Sequence, residues 1–260
     1  MEYAVVTVAA LLVAGMALYS GFGLGTLLVP VFAMFFPVPV AVASAAVVHL
    51  ANNVFRIGFV GRHANWRVAF LFGLPAAAAA IGGALLLSRI AGITPVAVYH
   101  LGSREFSVTV VKLVLSALIA GFAAMELSPA VSRWEIDRRY VPLGGVLSGF
   151  FGGLSGHQGA LRSAFLARAG LDSAAFVGTG SVAAFMVDMS RLTVYGMGPI
   201  RESFFGASGS MGVVIAATTA AFLGTYLGSR FLKKVTMTAI RRLVSVLLVL
   251  LAAALASGLV

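Results

Sequence analysis

The chain has 260 residues, 60% of them hydrophobic and 10% charged, and a formal net charge of +10. A soluble domain of this length carries about 25% charged residues, so an aqueous globular protein is excluded and 1–260 reads as a single transmembrane domain. The basic residues come in short clusters beside apolar stretches, such as Arg62 to Arg67 and Arg138-Arg139; this is the pattern of lipid-headgroup anchors and topology signals, with membrane lipid and not nucleic acid as the partner.

A helical crossing takes about 20 apolar residues. The sequence divides into eight such stretches, near 4–35, 38–60, 67–90, 106–126, 141–168, 173–197, 206–230 and 240–258, and the expected fold is an all-α polytopic membrane protein. The first stretch lacks the basic start and small-residue cleavage site of a signal peptide and reads as a retained span. It covers about 32 residues, roughly 48 Å of helix against about 30 Å of hydrocarbon, so it must tilt, break or fold back. Gly21-Phe22-Gly23-Leu24-Gly25, followed by Pro30, marks the break, because glycine frees the backbone and proline removes a donor. The second stretch carries His49, Asn52, Asn53 and Arg56. Between 90 and 106 the apolar pattern is interrupted by Gly92, Pro95, His100 and Gly102. The fifth stretch is again too long and is broken between Gly149 and Gly159, a segment that includes Gly156, His157 and Gln158, with Arg162 one turn later; the sixth holds Asp188 and Arg191.

The two halves, about 1–127 and 140–260, correspond. Ser20-Gly21-Phe22 matches Ser148-Gly149-Phe150, Gly25 falls opposite Gly159, and with one inserted residue Asn53, Arg56 and Gly61 fall opposite Asp188, Arg191 and Gly196. Four-span halves with Gly-broken first and fifth helices point to a transporter whose central site lies between the breaks. Unwound backbone is tolerated in a membrane only where protein or a wet cavity covers it, so the two breaks should face each other.

The run Gly21-Phe22-Gly23-Leu24-Gly25-Thr26-Leu27-Leu28-Val29-Pro30 and its echo at 153–166 resemble the TauE/SafE family of sulfite exporters, over nearly the whole chain. The second copy departs from the family pattern in having Ala164 at the proline position and His157-Gln158 where glycine is common. The resemblance implies a multi-pass transporter of the bacterial plasma (inner) membrane that exports a small inorganic or organosulfur anion such as sulfite or an organosulfonate. It implies no cofactor and no bound metal.

An ionisable or strongly polar residue deep in a span is a functional candidate by default. The substrate-binding candidates are Gly23, Gly25, His49, Asn53, Gly156, His157, Gln158, Gly159, Arg162, Asp188 and Arg191. Guanidinium forks, amide donors and the N-terminal ends of broken helices are what a dehydrated anion needs. Plainer roles compete: Arg56 and Arg191, near span ends, are placed at the headgroups; Asp188 and Arg191, three residues apart, fit a structural ion pair; and His49 fits a packed, hydrogen-bonded residue.

Two other functions each share some of these sequence features. A divalent metal-ion transporter would need more intramembrane carboxylates than the lone Asp188, and the four histidines form no His-x-x-x-His pair. Gly206-Ala207-Ser208-Gly209, with His49 and Asn53, looks like a rhomboid-type serine protease, but no histidine follows position 157 to act as base. Neither catalytic nor metal residues are therefore assigned. For orientation, the loop from 230 to 242 holds Arg230, Lys233, Lys234, Arg241 and Arg242, which favours the cytoplasm and, with eight crossings, puts both termini outside. The cluster Arg133, Arg138 and Arg139 then falls on the opposite side and votes against it.

Overall fold

The computed structural model describes residues 1–20, 24–128, 136–207, 209–231 and 237–259. Its elements are α1 (Glu2–Ser20), α2 (Leu24–Ala33), α3 (Val38–Val60), α4 (Trp66–Ile90), β1 (Ala97–Leu101), β2 (Arg104–Val108), α5 (Val110–Leu127), α6 (Val141–Ser155), α7 (Gly159–Leu166), α8 (Ser173–Tyr195), α9 (Pro199–Gly206), α10 (Ser210–Phe231) and α11 (Met237–Ala256). Among the described residues four helices are long and apolar enough to cross a membrane by length and composition, over Val38–His63, Trp66–Ile90, Ser173–Tyr195 and Ser210–Arg230. Large apolar side chains such as Val8, Leu12, Leu74, Leu223 and Leu250 point outward. In water such a surface would be a liability; on a multi-pass membrane protein it is the lipid-facing coat.

Local signals start several helices. Asn65 caps α4 by accepting from the Val68 N–H at 3.1 Å, Asp172 caps α8 by accepting from Ala175 at 2.8 Å, and Thr109 caps α5 by accepting from Lys112 at 3.3 Å.

Three sequence expectations change. The fourth apolar stretch begins at Val110 and not near 106, because 97–108 forms an antiparallel β-hairpin in register Leu101↔Arg104 through Ala97↔Val108. Gly102, at φ +63°, makes the two-residue turn that an L side chain would resist. The hairpin is pinned to the end of the chain by the Tyr99 hydroxyl donating to the Ser257 carbonyl. The short helix α9 separates the sixth and seventh stretches, which end and begin at Tyr195 and Ser210. The interruption of the fifth stretch is confined to Gly156–Gln158, where Gly156 adopts φ +81°, while Gly149, Gly152 and Gly153 are helical.

Those helical glycines serve close packing. A Cβ at Gly145, Gly149 or Gly153 of α6 would collide with the carbonyls of Phe72, Ala76 and Ala80 of α4. The i, i+4, i+8 spacing lets two backbones run side by side, as small residues do between helices in lipid. The same contact is made between α1 and α10, where a Cβ at Gly224 or Gly228 would meet the carbonyls of Leu11 and Gly15. Both pairs are parallel, since residue numbers rise together along the two helices, and both join one half of the chain to the other.

The remaining contacts fix the other directions. α3 and α8 are antiparallel: Val60 lies against Gly178, while His49 and Asn53 reach Asp188. α5 and α11 are also antiparallel, with the Ser116 hydroxyl donating to the Ala252 carbonyl at 2.8 Å and the Lys112 ammonium to the Gly258 carbonyl at 3.3 Å.

The broken elements fold back on themselves. Fully extended, α6 would carry the chain about 16 Å from Gly144 to Ser155 at 1.5 Å per residue, yet the Phe165 ring of α7 lies against Gly144. The Ser148 hydroxyl likewise donates to the Gln158 carbonyl at 2.8 Å, across a separation of 10 residues. α6 and α7 are thus the arms of a helical hairpin with its tip at Gly156. In the first half α1 runs parallel to α10, while α2 begins with Gly25 beside the His49 ring and returns to the start of α3. Gly21, Phe22 and Gly23, which join α1 to α2 in the sequence, lie outside the described residues.

Candidate functional site

The start of α2 meets the tip of the α6–α7 hairpin. A Cβ on Gly25 would sit 3.3 Å from the Gly156 carbonyl and 3.4 Å from the His49 ring, and one on Gly156 would sit 3.4 Å from the Arg191 guanidinium. The expectation that the two breaks face each other is met at these residues. The N-terminal ends of α2 and α7 both point into this junction, and a helix N-terminus carries unpaired N–H groups and partial positive charge.

Beside the junction, Asp188 of α8 gathers a dense set of donors. His49 Nδ1 donates to its Oδ2 at 2.6 Å and Asn53 Nδ2 to the same oxygen at 3.1 Å. Gln158 Nε2 donates to Oδ1 at 3.0 Å, and Arg191 reaches Oδ1 through Nε at 3.0 Å and Nη2 at 2.7 Å. Asp188 and Arg191 are both 0% exposed. Charge-assisted bonds of this number offset the desolvation of a carboxylate, so Asp188 is saturated by protein donors from α3, from the second hairpin tip and from its own helix.

Arg191 has a second task. Its Nη1 donates to the Gly152 carbonyl at 3.2 Å, and the Tyr195 hydroxyl donates to the Gly153 carbonyl. These carbonyls lie in the last turn of α6, where the Gly152 carbonyl also accepts the capping bond from the Gly156 N–H at 3.0 Å. Asp188, Arg191 and Tyr195 fall on one helical face at spacings of three and four, and together they tie α8 to the end of α6.

The sequence candidates therefore divide. His49, Asn53, Gln158, Asp188 and Arg191 form one polar knot, with Gly25 and Gly156 at its edge and Gly159 opening α7 beside it. Asp188 and Arg191 are the expected ion pair, and His49 is the packed, hydrogen-bonded residue. His157 turns elsewhere: its Nδ1 lies 2.9 Å from the Ser155 carbonyl, and its ring stacks on Phe122 of α5 with centroids 5.9 Å apart. Gly23, and Ser208 of the protease-like motif, lie outside the described residues.

The placement of Arg56 and Arg191 at the headgroups is overturned. Arg191 is fully buried and Arg56 is 5% exposed, because α8 and α7 cover the end of α3 that its position in the chain would leave open. Arg56 Nε is buried without a hydrogen-bond partner. It lines a narrow cleft together with Arg162 and Leu166 of α7 and Phe176, Gly180 and Ser181 of α8. Arg162, 4% exposed, donates from Nη1 to Gln158 Oε1 at 3.1 Å, so the cleft abuts the knot. Gly180 and Ser181 carried no sequence signal of their own, whereas Arg56 was visible as a basic residue inside an apolar stretch.

Three buried arginines, 56, 162 and 191, lie around one buried carboxylate, Asp188, among the described residues. The guanidinium groups of Arg56 and Arg162 line a cleft in a region of low dielectric, a setting that favours a bound anion.

The model of the sulfite exporter TauE/SafE family matches residues 4–255. No curated protein and no solved structure gives a significant match. With an outward apolar coat, broken helices meeting in its interior and a family match from end to end, the chain belongs to the TauE/SafE sulfite exporter family of membrane transporters.

Proposed function

We propose that the protein moves a small anion across the membrane, with sulfite and organosulfonates as the leading substrates, through the junction of the two hairpin tips. The observation that carries this reading is the cleft in which Arg56 and Arg162 face the same space with no carboxylate among its lining residues. A cation path would place acids there, because each buried guanidinium raises the energy of a nearby cation. The knot around Asp188 ties α3 and α8 to the Gly156 tip, and the anion is taken by the Arg56 and Arg162 guanidinium groups that line the cleft next to it.

The architecture behind this proposal is a pair of inverted halves. α3 with α8 and α5 with α11 are equivalent helices that pack antiparallel, while the α1–α10 and α4–α6 contacts exchange partners between the halves. A two-fold axis in the membrane plane relates helices in this way, and an axis along the normal does not. Two of the eight apolar stretches then serve as re-entrant hairpins, and α3, α4, α5, α8, α10 and α11 cross the bilayer of the bacterial plasma membrane.

The test is flux in proteoliposomes. Sulfite, sulfate, thiosulfate, sulfoacetate and small carboxylates are offered with and without a pH gradient, alongside a divalent cation. Anion flux in the wild type that falls in Arg56→Ala and Arg162→Ala supports the reading; cation flux indifferent to both substitutions ends it.

A further inference from the structure

We infer that the Arg56–Arg162 cleft opens toward the cytoplasm, so that the anion is loaded from inside the cell. The inference rests on the anion reading above and adds a side to it.

The helix directions place the cleft at one end of the molecule. From the level of Asp188, α3 runs through Arg56 to the turn at Gly61–His63, α7 runs from Gly159 through Arg162 to Leu166, and α8 begins at Ser173 and passes Phe176 and Gly180 on its way to Asp188. Every lining residue therefore lies between the knot and the end of the protein that carries the α3–α4 turn and the start of α8. Two contacts hold that end together: the Asn65 N–H donates to Thr179 Oγ1 at 2.9 Å, and Arg138 Nε donates to the Arg168 carbonyl at 3.3 Å.

This is also the basic end. Arg62, Arg67, Arg138, Arg139, Arg168 and Arg230 belong to it. The opposite end has Arg89, Arg104, Lys112 and Arg201, spread over a longer stretch of chain. The fold-back of the hairpins is what brings the 138–139 cluster and Arg230 to the same side; eight simple crossings would set them against each other. With that conflict removed, the excess of Lys and Arg assigns this end to the cytoplasm and the β-hairpin to the outer face. Trp66 and Tyr140, both exposed at the basic end, fit the aromatic belt at a membrane interface.

The absence of cysteine makes the inference testable in the intact protein. Single-cysteine variants are made at the cleft (Val177→Cys), at the exposed turn of the same end (His63→Cys) and on the exposed face of β1 (Val98→Cys). Each is treated with a charged, membrane-impermeant maleimide in inside-out and right-side-out vesicles. The expected result is labelling at least tenfold faster in inside-out vesicles for Val177→Cys and His63→Cys, the reverse for Val98→Cys, and severalfold slower labelling of Val177→Cys in saturating sulfoacetate. Faster labelling of His63→Cys from the outer side overturns the inference, and it does so even where Val177→Cys fails to fold. Flux blocked by reagent applied only from outside at Val177→Cys sinks the cytoplasmic assignment and leaves the anion reading standing. Complete labelling from the cytoplasmic side with unchanged sulfite flux sinks the anion path instead.

Discussion

His49 Nδ1 donates to Asp188 Oδ2 at 2.6 Å, joining α3 to α8 across the middle of the molecule. The same carboxylate holds Arg191, and neither partner of that ion pair is exposed. Removing one member of a buried pair leaves an uncompensated charge, at a cost of about 3–5 kcal/mol. Asp188→Asn should therefore lower the melting temperature in detergent by roughly 10 °C. Asp188→Asn/Arg191→Gln should recover at least half of the loss, since the stranded charge is gone. A single variant that melts with the wild type would show that the knot is not what holds the hairpin tip.

Arg56→Ala and Arg162→Ala should each reduce sulfite flux at least tenfold while melting within a few degrees of the wild type. The Arg56→Lys protein should recover only part of the flux, because an ammonium cannot reproduce the planar donor fork of a guanidinium. Wild-type flux in Arg56→Ala would return this residue to a packing role.

His157 separates position from substrate contact. Its ring stacks on Phe122, with the planes 3° apart, and does not reach Asp188. His157→Phe keeps an aromatic surface there and should hold flux within about twofold, while His157→Ala should lower thermal stability by about 1–2 kcal/mol. A tenfold flux loss in His157→Phe would place the imidazole on the anion path.

Gly149 meets the Ala76 carbonyl so closely that no side chain fits without parting α4 from α6. Gly149→Leu should abolish folded, monodisperse protein in size-exclusion chromatography, and Gly149→Ala should cost about 1–3 kcal/mol by overpacking. Gly82, with nothing near its Cβ, is the control and should tolerate alanine. Equal behaviour at the two positions would show that the α4–α6 approach does not need glycine.

Much of this was legible in the chain because the membrane leaves few options: apolar length gave the helices, and ionisable residues within them gave the knot. Asn53 and Asp188, which the expected repeat sets opposite each other, are in hydrogen-bond contact at 3.1 Å. What stayed hidden depended on partners distant in sequence. Glycine reads alike whether it unwinds a helix or lets two helices touch, so Gly149 and Gly153 group with the break at Gly156 in the sequence; only their four-residue spacing separates the cases. Arg56 reads as a headgroup anchor because its cover, α7 and α8, comes from the second half of the chain. The β-hairpin is invisible because Gly102-Ser103 lies between short alternating segments that an apolar window absorbs into a neighbouring span. The fold-back of α7 onto α6 is hidden too, since a helical hairpin and a long broken helix look the same along one line of residues.

The exchange of partners between halves carries a cost during synthesis. α1 seats its backbone against Gly224 and Gly228, which leave the ribosome long after it does. At about 5–20 residues per second the wait is on the order of ten seconds or more. Through that interval Gly25 lacks the Gly156 tip that later sits against it. Until α10 arrives, the face of α1 at Leu11 and Gly15 has no packing partner there.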